Sequence, residues 1–310
     1  MGIVVIGAVF VDIKGHPLMQ YIPGGRNVGR VCQVHGGVSR NIAEDIANIE
    51  LRPTFISVVD DSGISTDVID KLNNHKVNTN YIRRSKNGLG TWLAVFDNSG
   101  DVVASISNRP DLDEILNILN EQGDEIFKDA DSIIIEFDMD KEIIKKVFAL
   151  AQKYDKKVYV VVTNMTIAVE RRDLLKNSAC FVCNQQEAGI FFSDNYDDKT
   201  PEEMKEILVN KLKTAQISNM VVTMGGLGSV YATQDGESGY VPSKSVSVID
   251  TTGAGDAFFA GVAIGLTYGK DLKESCEIGT RIAASVIVTK ENVCPRFLPE
   301  EFGIESPKEK

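Results

Sequence analysis

Asp250-Thr251-Thr252-Gly253-Ala254-Gly255-Asp256 sets two glycines and a carboxylate between an apolar run, Ser245 to Ile249, and a long apolar stretch, Ala257 to Leu266. The first run reads as a strand and the second as a helix. A glycine turn that opens a helix is an anion site. The glycines let backbone approach closely, and the unpaired N–H groups and dipole of the first helical turn favour negative charge. A carboxylate at the end of such a turn would repel a phosphate unless it had a chemical task. Taking the proton from a hydroxyl that attacks the phosphate is such a task. The competing reading is a plain helix start, in which Asp256 complements the dipole. No Gly-Lys-Ser/Thr follows, so the turn is not a Walker A loop.

Other residues suit an acceptor pocket. Gly36-Gly37-Val38-Ser39-Arg40-Asn41-Ile42-Ala43 is a second glycine turn that opens a helix, with Asn41 able to donate and accept hydrogen bonds. A simple loop with Ser39 as the helix cap competes with that reading. Asp12 follows an apolar run near the edge where parallel sheets bind ligands. Thr223-Met224-Gly225-Gly226-Leu227-Gly228 follows another strand-like run, where a hairpin turn is the alternative.

The seven residues from Asp250 to Asp256 resemble the C-terminal signature of the ribokinase-like, or pfkB, family of sugar and nucleoside kinases. The Gly-Gly pair with Asn41 resembles its N-terminal signature, and the resemblance covers about residues 2 to 297. It implies a three-layer α-β-α sandwich with a mostly parallel central sheet and a small β-sheet lid. It implies Asp256 as catalytic base, with an anion hole from the N–H groups of Gly253, Ala254, Gly255 and Asp256. Asp12, Gly36, Gly37, Arg40 and Asn41 would hold the acceptor. Thr223, Gly225, Gly228 and Ala283 would line the ATP site, with adenine between the Ile278–Val288 helix and the Glu291–Cys294 turn. Asn184-Gln185-Gln186-Glu187 resembles the family's Asn-x-x-Glu element: Glu187 would act on Mg²⁺ through water, and Asn184 would help hold the phosphates. Asp250 and Thr252 match positions that hold K⁺ in several members.

The family's Asn two residues before Asp12 is replaced by Phe10, and Val160-Val161-Val162 stands where relatives carry Asp-Pro. The first departure leaves the identity of the sugar open. Gly36 to Ala43 is typical of the pseudouridine kinase branch, so pseudouridine is the first expected acceptor, with Arg40 bracing the pocket against Asp12 or a base carbonyl. Another sugar or nucleoside is the alternative. A sugar phosphate would call on Arg26, Arg30 and Arg40. A catalytically silent nucleoside sensor is a further alternative, disfavoured by the intact Asp256.

The elements that must position these residues alternate strand and helix, which implies a parallel sheet covered on both faces. Strands are expected at Ile3–Phe10, Thr54–Val59, Ser132–Glu136, Lys157–Val162, Ala179–Cys183 and Met220–Thr223. Helices are expected at 39–49, 66–74, 111–120, 141–154, 185–192, 201–214, 257–268 and 271–289. Ser229–Thr233, Gly239–Val241 and Ser245–Ile249 read as a meander. Residues 11–37 and 88–108 break the alternation, the second around an Asp97-Asn98-Ser99-Gly100 turn, and should leave the main sheet together as the lid. The 310 residues read as one domain, 43% hydrophobic and 25% charged, with a polar tail from Glu301 to Lys310. The net charge of −11 gives no basic footprint for nucleic acid. No apolar run reaches membrane-span length, and the N-terminus lacks signal-peptide features. Five scattered cysteines, with Cys180 and Cys183 in an apolar run, point to buried thiols and a cytoplasmic setting. Exposed lid edges point to a homodimer.

Overall fold

The computed structural model describes residues 2–305. Among the described residues, thirteen strands divide into two sheets. The strands are β1 Ile3–Ile6, β2 Phe10–Pro17, β3 Gly29–Gly36, β4 Thr54–Val59, β5 Asn78–Arg84, β6 Gly90–Phe96 and β7 Val102–Asn108. There follow β8 Ser132–Glu136, β9 Val158–Val161, β10 Cys180–Asn184, β11 Asn219–Thr223, β12 Ser229–Thr233 and β13 Ser238–Val241. Nine strands form the main sheet in the order β13-β12-β11-β10-β9-β8-β1-β4-β5. Its pairings are parallel except for β11–β12 and β12–β13, which are antiparallel because β12 alone runs the other way. The other four, ordered β3-β2-β6-β7, form a separate small sheet from the two segments that break the alternation.

The central strands β1, β4, β8 and β9 are buried on both faces, because their side chains alternate between two cores. Val4 and Ile6 enter one core with Ile115, Ile143, Phe181 and Leu208. Ile3 and Val5 enter the other with Ile42, Ile46, Phe258 and Ile282. The helices that cover the second face include Val38–Asn48, Ala254–Thr267 and Leu272–Val286. Their apolar residues recur at helical spacing, as in Ile42 and Ile46. This is the ribokinase-like α/β fold, with helices on both sides of the large sheet.

Several expected elements shift. The Ile3–Phe10 run is not one strand. It breaks at Gly7, where a Cβ would stand 2.0 Å from the Ser39 hydroxyl, and resumes at Phe10 in the small sheet. Asp12 therefore sits on a lid strand and not at the end of β1. Ser245–Ile249 is not a strand. It has no partner strand, and Val246, Val248 and Ile249 are exposed. The edge strand β5 and the helices Gly123–Asp129 and Met165–Glu170 were not foreseen. Residues 306–310 of the polar tail lie outside the described residues. Among the described residues, no helix is long and apolar enough to cross a membrane.

Candidate active site

The turns at Gly36-Gly37 and Gly253 meet above the C-terminal ends of β1 and β8. Gly37 has φ 95°, and its ideal Cβ would lie 2.8 Å from the Ala8 carbonyl oxygen, so only glycine lets the turn close on the loop after β1. The Val38–Asn48 helix then carries Asn41 to Asp256. Asn41 Nδ2 donates to Asp256 Oδ2 at 2.7 Å. These residues are 215 positions apart. Asn41 Oδ1 is buried without a protein partner and keeps its acceptor capacity.

Asp256 is mostly buried, and its carboxyl is pushed up to about 6. Burial is the chief cause and nearby Asp12 adds to it, while Asn41 and Arg40 pull the other way. Asp12 is itself raised by burial, against the pull of Lys14 and Arg40. A carboxylate of this kind is ionised at neutral pH yet still basic enough to accept a proton.

Both carboxylates face a cavity of about 690 Å³ between the small sheet and the main sheet. Gly37, Asn41, Thr252 and Gly253 line it as well. Gly36 backs Asp12, with its ideal Cβ 2.5 Å from Asp12 Oδ1. Sequence reasoning missed five carboxylates of this lining, of which Glu136 and Asp138 are the most enclosed. Glu136 ends β8, buried, and its Oε2 accepts from Ala8 N at 3.1 Å and Ser39 Oγ at 2.9 Å. Burial pushes it up to about 7. A lone acid that closes an apolar strand at the ligand edge of a parallel sheet was the available signal. Asp138, two residues on, accepts from Thr163 and keeps a buried Oδ1 without a partner.

Arg40 does not face this cavity and does not pair with Asp12. It is fully buried and bonds Glu44 Oε2 at 2.5 Å. Arg26 and Arg30 lie exposed on the lid segment, outside the cavity lining. The basic cluster expected for a sugar phosphate is therefore not assembled.

A second cavity, about 560 Å³, lies on the other side of the Gly253 turn. Thr223, Gly225, Gly228 and Ala283 line it, with Ala254, Gly255, Phe258, Ala284 and Ile287. The Glu291–Cys294 turn, expected as part of this wall, lies elsewhere: Asn292 packs beneath Gly253, whose ideal Cβ would stand 2.1 Å from Asn292 O. Of the four expected anion-hole donors, Ala254 N already donates to Thr251 O at 3.2 Å. Asn184 and Glu187 form a capping box at the start of the Gln185–Phe192 helix, with Glu187 Oε2 accepting from Asn184 N at 2.8 Å. Burial raises the Glu187 carboxyl, and Asp138 adds to this. Asp250 Oδ1 accepts from Thr252 N at 2.9 Å. Burial opposes its charge, but Thr252, Lys14 and His16 outweigh that and hold the carboxyl below its ordinary range. Cys180 and Cys183 are free buried thiols. Among the described residues, no group of three or more His, Cys, Asp or Glu side chains is placed to hold a metal.

Residues 2–300 match the model of the pfkB family of carbohydrate kinases. The chain belongs to this family. It is 33% identical to a guanosine-inosine kinase of Exiguobacterium acetylicum over 292 residues, 94% of this chain and 95% of the relative. It is 26% identical to a pseudouridine kinase of Escherichia coli strain K12, with 88% and 86% of the two chains covered. The solved ribokinase of Arabidopsis thaliana, complexed with ribose and ATP, superimposes with a TM-score of 0.82 at 19% identity over 97% of each chain. The pfkB kinase described here is thus a sugar or nucleoside kinase, a transferase with an alcohol acceptor.

Proposed function

We propose that this pfkB kinase transfers the γ-phosphate of ATP to the 5′-hydroxyl of a ribonucleoside. The observation that carries the reading is the apolar share of the acceptor cavity's lining. Beside Asp12, Asn41 and Asp256, the cavity is lined by Phe10, Trp92, Leu112, Met139 and Ile143. A free sugar has no flat apolar group for that surface, whereas a nucleobase does. Identity to the guanosine-inosine kinase makes guanosine and inosine the first acceptors to test. The Gly36–Ala43 segment favours pseudouridine as a second reading.

In this reading Asp12 and Asn41 grip the ribose diol, close to the Gly36-Gly37 backbone. Asp256 takes the 5′-hydroxyl proton. The N–H groups of Gly253, Gly255 and Asp256 face the developing phosphate charge, and Ala254 contributes less because its donor is shared with Thr251. ATP occupies the cavity lined by Thr223, Gly225, Gly228 and Ala283. Mg²⁺ bound with ATP would neutralise phosphate charge. Glu187, with one oxygen committed to the helix cap, suits contact through water better than direct ligation. Asp250, held ionised, and Thr252 suit a monovalent cation such as K⁺.

The test is ADP release from Mg-ATP with K⁺ present, comparing guanosine, inosine, pseudouridine, ribose and fructose 6-phosphate. Burying about 100 Å² of base at ~25 cal/mol/Å² is worth roughly tenfold to a hundredfold in kcat/KM. Nucleosides should exceed ribose by that margin, and equal use of ribose would sink the reading. Fructose 6-phosphate should fail. Among the described residues, seven carboxylates (Asp12, Asp111, Asp113, Glu136, Asp138, Asp140 and Asp256) line the cavity against Arg109 as its lone Lys or Arg.

The proposed assembly is a homodimer through the lid. β3 and β7 are free edges of the small sheet. Ile13, Leu93 and Ile106 stand in register across it, with Leu93 and Ile106 exposed. A second copy would cover this apolar row and the edges beside it. Light scattering should give a dimer mass for the wild type and a monomer mass for Leu93→Lys/Ile106→Lys. A monomeric wild type at micromolar concentration would exclude the lid dimer.

A further inference from the structure

Arg40 has 1% of its side chain exposed and Glu44, its partner, has none. A buried guanidinium must place its donors, and these go to three acceptors. Nη1 takes Glu44 Oε2 at 2.5 Å, Nη2 takes the His35 carbonyl at 2.5 Å and Nε takes the Gly36 carbonyl at 3.3 Å. The two carbonyls belong to the turn that holds Gly36 against Asp12. Glu44 is in turn paired with Lys71 at 3.0 Å. The arginine fork thus fixes the backbone of the acceptor turn from behind.

The same His35 carbonyl accepts a second donor. Asn292 Nδ2 reaches it at 2.8 Å. Asn292 is also the residue whose backbone lies under Gly253, with the ideal Gly253 Cβ at 2.1 Å from its oxygen. The following residue but one is tied to the same helix, since Cys294 N donates to Asp45 Oδ1 at 2.6 Å and Asn48 Nδ2 donates to Cys294 O at 2.7 Å. One carbonyl oxygen therefore joins the acceptor turn, through Arg40, to the loop that supports the anion-binding turn, through Asn292.

We infer that Arg40 and Asn292 are positioning residues that set the acceptor turn and the Gly253 turn in register with each other through the shared His35 carbonyl. Neither touches the reacting atoms in this role. Their work is the distance between the 5′-hydroxyl of an acceptor whose diol Asp12 and Asn41 hold and the phosphate held at Gly253, where small displacements are costly.

Arg40→Lys tests this, because lysine keeps the charge opposite Glu44 but has no planar fork for two carbonyls. Asn292→Ala removes the other donor. Each should lower kcat/KM for the acceptor by between about tenfold and about a hundredfold, with nucleoside and ribose affected alike and the KM for ATP nearly unchanged. The double variant should lose less than the product of the two single losses, because both act on one carbonyl. Thermal midpoints measured alongside separate folding from positioning. Normal kinetics with only a lower midpoint would make Arg40 purely structural and overturn the inference. A loss confined to nucleosides would mean direct contact with the base, and strictly multiplicative losses would mean that the two loops are held independently; either result overturns it. If Arg40→Lys does not fold, Asn292→Ala decides alone, and wild-type kinetics there refute the linkage.

Discussion

Asp256→Asn should lower kcat by about 10²- to 10⁴-fold while the KM for ATP stays close to the wild-type value. Asparagine keeps the size of the side chain and an oxygen for Asn41 Nδ2, which lies 2.7 Å from the present carboxylate. What it loses is the capacity to take a proton from the acceptor hydroxyl. Near wild-type turnover would remove Asp256 from the chemistry. The wild-type pH profile gives a second measurement. The base works only when ionised, and its carboxyl stands at about 6. kcat/KM should therefore fall tenfold per pH unit below about 6 and level off above it. Stability should move in the opposite sense. Folding raises this group from 3.8, so its contribution to stability is fully present below 3.8 and is lost as pH rises through about 6. Asparagine escapes that loss. Its thermal midpoint should exceed that of the wild type at pH 8 and match it near pH 3.5, measured by calorimetry. An inactive variant that is less stable at both pH values would indicate a damaged fold and not a missing base.

The readable parts of this site were those in which a local motif carries its own geometry. The Gly253–Asp256 turn opens a helix because glycine and the first-turn N–H groups act over a few residues, and spacing alone shows this. The strand at Ser132–Glu136 and the helix at Gln185–Phe192 were legible from their local sequence in the same way. Long-range choices were not legible. Gly7 alone did not settle the break in Ile3–Phe10, because the close approach that requires glycine there comes from Ser39 on another element. Ser245–Ile249 has the alternation of a strand, yet strand pairing needs a neighbour and none is there. Arg40 looked like a pocket residue beside Asn41. One position along a helix rotates the side chain by about 100°, which carries it to the buried face. Glu136 stood in an expected strand and was passed over, because its partners, Ala8 N and Ser39 Oγ, come from the loop after β1 and from the Val38–Asn48 helix.

Gly253→Ala should be the second most damaging of these changes, with kcat lower by about 10²- to 10³-fold. Two observations set the magnitude. Gly253 has φ 82° and ψ −8°, a left-handed conformation that costs an L-residue about 1–3 kcal/mol when imposed here. Its ideal Cβ would also meet Asn292 at 2.1 Å from O, 2.7 Å from C and 2.9 Å from Cα. These are backbone atoms, so no rotamer change relieves the clash. The turn must move away from Asn292, and its N–H donors move with it relative to Asp256 and the acceptor. Gly255 is the control. Nothing lies within 4 Å of its ideal Cβ, and it borders the proposed ATP cavity. Gly255→Ala should therefore fold like the wild type and act mainly by raising the KM for ATP, with a smaller fall in kcat. Steady-state kinetics in both substrates, with thermal midpoints, separate the two variants. If Gly253→Ala matched Gly255→Ala in kcat, the close packing of the turn on Asn292 would not be what holds the anion hole in place, and the donors would have to be positioned by the helix alone.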